Sequence, residues 1–125
     1  MTEATAPSAA VAEPDGLDLE TMRESARRLL ADDAELPTPE ELETLTLLLR
    51  GHMMLLIPAV EDAARLLPED AVPRACALAC VGEARMRLGL EPGRTLPAGI
   101  AHAQRLARSV NALCDHAVNL DGVHR

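Results

Sequence analysis

Cys76, Cys80, Glu83 and Arg87 stand at i, i+4, i+7 and i+11 within VPRACALACVGEARMRL, a spacing that sets all four on one stripe of a helix. Two thiols four residues apart can grip one metal ion, as paired histidines do in the H-E-x-x-H arrangement, and Glu83 can add an oxygen ligand. Cys114 from a facing helix is a further candidate ligand, and such a set would favour zinc or copper(I). Glu83 four residues ahead of Arg87 is also the favoured order for an ion pair on a helix. A plainer account competes with the metal site. Cysteine behaves as a small hydrophobe in an Ala-rich helix, so core packing explains both thiols and no cofactor is expected.

A second group lies in LTLLLRGHMMLLIP, residues 45–58, where Arg50, Gly51, His52 and Pro58 interrupt an apolar run. Arg50 and His52 are two residues apart, about 200° around a helix, so they cannot face one partner. His52 is expected either to bond one buried acceptor or to bind a ligand or act as a base. Arg50 is expected to snorkel along its stem or to pair with an acid across a dimer interface. Together with Glu83 and Arg87, these two complete the ligand-binding candidates. Gly51 costs about 1 kcal/mol relative to Ala inside a helix and points to close approach of another backbone. Pro58 removes one helical hydrogen bond and predicts a kink that can open a cavity.

The run CDH at 114–116 does not form a ligand cluster, because Cys114 and His116 fall on different flanks of a helix. His102 sits at the edge of an apolar seam and can reach a groove. No nucleophile elbow, phosphate loop, dinucleotide fingerprint or EF-hand loop occurs. Carboxylate pairs such as Asp32–Asp33 and Glu40–Glu41 sit at helix ends, where capping accounts for them. No enzymatic signature is present, and the reading leans away from an enzyme.

Composition narrows the partners. The chain has 125 residues, a net charge of −8, no aromatic residue, and Arg as its only basic residue other than histidine. A negative chain opposes phosphate backbones, and without aromatics there is no platform for stacking bases; nucleic acid is not an expected partner. Three cysteines without a secretory leader suit a reducing cytoplasm. The longest clean apolar run, Met53–Ile57, is far short of the ~20 residues of a membrane span.

Four helices must position these groups. Residues 1–16, rich in Ala, Thr, Pro and Glu, read as a disordered tail, leaving 17–125 as one domain. The first helix is expected over about 18–33 with Asp18 as its cap. The second starts after Thr38, with Pro39 in its first turn and Glu41 closing a capping box, and runs to about Leu67. Its heptad positions Leu42, Leu45, Leu49, His52, Leu56, Ala59, Ala63 and Leu66 predict one seam. Leu47, Leu48, Met53, Met54 and Ile57 make its other faces apolar too, which predicts protein on most sides. The third helix is expected from an Asp70 cap to about Leu90, and the fourth over about 97–120. The fourth has a seam through Leu96, Gly99, Ala103, Leu106, Val110, Leu113, Ala117 and Leu120. Short loops favour antiparallel neighbours, so the fold class is all-α, an up-and-down four-helix bundle.

The stretches LLRGHMMLLIPAVE, VPRACALACVGEARMRL and HAQRLARSVNALCDH resemble a family of small actinobacterial all-helical proteins. That family is known as domain of unknown function 6415 and labelled natural product biosynthesis. The likeness spans about residues 40–116; it implies a setting in specialised metabolism and carries over no active-site residue. Residues and resemblance together predict a non-catalytic accessory protein that binds a small molecule or a pathway protein. It is expected to be a homodimer that covers the surplus apolar face of the second helix. The alternatives are the metal or thiol site in the bundle core and a small enzyme using His52.

Overall fold

The computed structural model describes residues 16–124, so the expected tail at 1–16 lies, except for Gly16, outside the described residues. Four helices follow one another: α1 (Leu19–Leu30), α2 (Pro39–Arg65), α3 (Val72–Leu88) and α4 (Leu96–His124). No strand occurs among the described residues. α2 and α4 form the central pair and run side by side, with Leu42 against Gly99 near the start of each. α1 lies mainly on α4, and α3 closes over both central helices. The bundle is the up-and-down arrangement expected from the short connections.

The caps show how local sequence sets the helix starts. The Asp18 carboxylate accepts the Thr21 N–H at 3.1 Å and the Thr21 hydroxyl at 2.7 Å. The Thr38 hydroxyl oxygen accepts the Glu41 N–H at 3.1 Å, which is half of the expected capping box. The other half is missing because the Glu41 carboxylate is held by the Arg28 guanidinium at 2.8 and 2.7 Å, tying the end of α1 to the start of α2. Asp70 does not cap α3: the cap position falls on Ala71, which makes no side-chain bond, and Pro73 in the first turn fixes the start instead. α1 stops at Leu30, short of the expected 33, because Asp32 and Asp33 oppose the negative end of the helix dipole. α4 continues to His124, one turn past the expected end.

The seam of α2 departs from the heptad. Leu45, Leu49 and Leu56 are buried as expected, but the other buried positions are Met53, Ile57, Val60, Ala64 and Leu67. A straight helix has 3.6 residues per turn, so a strict seven-residue pattern drifts ~20° per heptad. The contact line has therefore slipped one residue by the second turn after Leu49. His52 becomes half-buried, Ala59 and Ala63 move to the edge, and Leu66 stands 76% exposed. Met53 and Ile57, expected on the outer faces, are core residues. The expectation of protein on most sides of α2 fails within the single chain: Leu47, Leu48, Met54 and Leu55 are 66, 44, 64 and 57% exposed. Gly51 lies among them with nothing within 4 Å of where a Cβ would be, so no backbone among the described residues approaches it. α2 also runs through Pro58 without a break. By length and composition alone α2 could cross a membrane, a test that the central helix of a bundle also passes.

Candidate functional site

Between the start of α2 and the α3–α4 turn lie two adjoining clefts, one of about 430 Å³ and one of about 260 Å³. Thr46 and Pro92 line both. The turn that forms them needs glycine at position 93, where φ is +85° and a Cβ would sit 2.8 Å from the Ala98 Cβ. The Thr95 hydroxyl oxygen then accepts the Ala98 N–H at 3.1 Å and starts α4. The larger cleft is apolar, walled by Pro39, Leu42, Leu47 and Leu96, with Glu43 and Arg94 at its edge. The smaller one is mixed, with Arg50, His102 and Glu91 lining it beside Leu88 and Leu90.

Arg50 reaches across from α2 and donates from Nη1 to the Leu88 carbonyl at 2.9 Å, capping the end of α3. It forms no ion pair among the described residues. His102 is 2% exposed, and its Nε2 has no hydrogen-bond partner among the described residues. Burial, reinforced by Arg50 and Arg105, holds its imidazole below the usual histidine range and so neutral. Sequence reasoning placed His102 at a seam edge but did not join it to Arg50. Its register with Gly99, Ala103 and Leu106 was the available signal for deep burial.

His52 lies on another flank of α2, as its offset from Arg50 requires. Its Nε2 is 3.2 Å from the Ser25 hydroxyl of α1, and that hydroxyl is also 3.3 Å from the Thr21 carbonyl. Ser25 has one proton to donate; when Thr21 takes it, the His52 Nε2–H donates to Ser25. Among the described residues no acid holds the other ring nitrogen, so the pair lacks the orienting group of an activated serine. Burial lowers the His52 pKa.

On α3 the buried stripe is Ala77, Val81 and Ala84, one position around from the cysteine stripe. Cys76 is therefore exposed, Cys80 half-buried and Cys114 buried. The Glu83 carboxylate takes the Arg87 guanidinium at 3.1 Å, and Arg87 also donates to the Ser109 hydroxyl at 3.0 Å and the Arg105 carbonyl at 3.2 Å. The expected ion pair is thus part of a strap from α3 to α4. Burial pushes the Cys114 thiol up to about 11 and, with the nearby Glu83, raises that of Cys80. Thiols so raised remain protonated near neutrality and are weak nucleophiles. Among the described residues no three His, Cys, Asp or Glu side chains gather where they could hold a metal. Asp115 turns to Arg23 of α1 at 2.8 Å, away from any set with Cys114 and His116.

The chain matches the sequence model of a family of unknown function, DUF6415, over residues 20–122. It belongs to that family. The match begins within α1 and ends within α4, so it takes in the whole bundle, beyond the three stretches that carried the resemblance. No curated protein and no solved structure matches the chain.

Proposed function

We propose that this DUF6415 member is a non-catalytic accessory protein of specialised metabolism that works in the cytoplasm as a homodimer and acts by binding. The observation that carries the pairing is the outer stripe of α2. Leu47 and Leu55 lie four residues either side of Gly51, and Leu48 and Met54 lie three residues either side of it. A two-fold axis through Gly51 therefore sets Leu47 against the second copy's Leu55 and Leu48 against its Met54, as a self-complementary interface requires. Gly51, open within one chain, lets the two backbones cross closely. The metabolic setting is supported by the label that the resemblance carries. The non-catalytic part of the reading is supported by the engagement of Glu83, Arg87 and His52 in bonds between or along helices.

The test is the mass in solution of the wild-type chain beside Leu48→Asp and Met54→Asp. Native mass spectrometry should give twice the 13.3 kDa chain mass for the wild type and a folded monomer for each variant. A wild-type monomer at micromolar concentration, or variants that remain dimeric, would remove the pairing.

A further inference from the structure

We propose that the paired clefts beneath the α3–α4 turn form a binding site for a monocarboxylate with an apolar tail, its carboxylate on Arg50 and its tail along Leu42 and Leu96. This site shares Leu47 with the two-fold pairing of α2, but the argument for it does not rest on that pairing.

Three observations converge. The first is an unpaired cation. The guanidinium carries five N–H donors in a rigid fork, and Arg50 uses one on the Leu88 carbonyl. A half-buried charge held in place by a backbone contact, with donors to spare, is pre-organised for a carboxylate. The second is His102. A side chain 2% exposed whose Nε2 lacks a partner among the described residues costs stability unless something satisfies it, and it lines the same cleft as Arg50. A neutral imidazole can donate to or accept from a carboxyl group. The third is the shared wall: Thr46 and Pro92 border both clefts, so a ligand held by Arg50 has an apolar channel beside it. The larger cleft, at about 430 Å³, lies in the range of small-ligand sites.

The local charges favour a monoanion over a phosphate. Glu91 lines the smaller cleft, and the carbonyl end of α3 adds negative potential there. One guanidinium offsets a single negative charge against these and would leave a phosphate dianion undercompensated.

The experiment is a titration of the full chain with decanoate below its micelle concentration, and in parallel with decanol, followed by the imidazole resonances of His102 in NMR. Decanoate should shift those resonances saturably, and decanol, with the same tail and no charge, should bind on the order of tenfold more weakly. Arg50→Gln should weaken decanoate by a similar factor while leaving decanol unchanged, and Arg50→Lys should recover part of the loss. Should Arg50→Gln not fold, the comparison of the two ligands on the wild-type chain decides alone. Equal binding of acid and alcohol, or His102 resonances that do not move, would overturn the proposal. Native mass spectrometry of the same samples reports the dimer separately, so loss of pairing and loss of ligand are told apart.

Discussion

Leu49, Met53, Leu56 and Val60 lie on one side of α2 with no exposed surface, while Leu47, Met54 and Leu55 on the other side are each more than half exposed. Both stripes are aliphatic and belong to the same helix. The inner stripe repeats at the true helical period and meets α4 and α3, whereas the outer one is left largely uncovered by the described residues. Hydrophobicity alone therefore does not tell which residues a bundle buries; phase around the helix does. The outer stripe is then informative in its own right, because it is the surface on which the proposed two-fold pairing rests.

The sharpest contrast between covered and uncovered sides is chemical and lies in the thiols. In the native chain at pH 8, Cys76 should be alkylated readily, Cys80 more slowly and Cys114 not until unfolding. Exposure falls in that order, and burial raises the last thiol to about 11. Peptide mapping after a timed pulse of iodoacetamide reads all three, and rapid labelling of Cys114 would break the assignment of inner and outer faces.

Leu56→Ala should cost about 2–5 kcal/mol in urea unfolding, the range for a buried leucine. Leu55→Ala, one residue away, should change the folding stability of the monomer by roughly 0.5 kcal/mol or less. Equal costs would mean that the two sides do not differ. Gly51→Ala sharpens the same contrast. It should stabilise an isolated chain by about 1 kcal/mol through helix propensity, yet weaken dimerisation by parting the backbones. Unfolding curves at two protein concentrations separate those effects.

The smallest effect expected is at Glu61, whose carboxylate is held by Arg85 at 2.8 Å and by Arg65 at 3.2 Å. These guanidinium groups, Arg85 first, bring its pKa from 4.5 to about 2. Because the folded state prefers the ionised form, its contribution is complete above about 4.5 and fades as pH falls towards 2. The stability difference between wild type and Glu61→Gln should thus be constant near neutrality and close in that acid window; a difference that persists at pH 2 would contradict the ion pair.

Much of the fold was legible because its signals are local. Asp18, Thr38 and Pro39 mark helix starts by direct bonds or fixed φ, and the seam of α4 reads correctly except at Leu96, which is 40% exposed. The phase of α2 was not legible from a heptad, because the template accumulates an error that only packing against α4 resolves. The candidate site was legible in part. Arg50 and His52 were separated by angle and do take different partners, but the bond from Arg50 to the Leu88 carbonyl depends on where α3 ends. Joining His102 to Arg50 further depends on the path of the turn through Gly93. Neither fact is written within a few residues of the groups concerned.

The placement of α1 on α4 has a consequence for how the chain is made. α1 is the first described element and α4 the last, and they meet across more than the length of α2 and α3 together. On the ribosome, Met22, Ala26 and Leu29 therefore stay uncovered until α4 has emerged, whereas α2 and α3 can dock as soon as both exist. Closing so long a loop is slow relative to pairing neighbouring helices. The bidentate bond between Arg28 and Glu41 can hold α1 against the start of α2 during that wait, so its loss should slow folding and lengthen the interval in which the nascent chain aggregates.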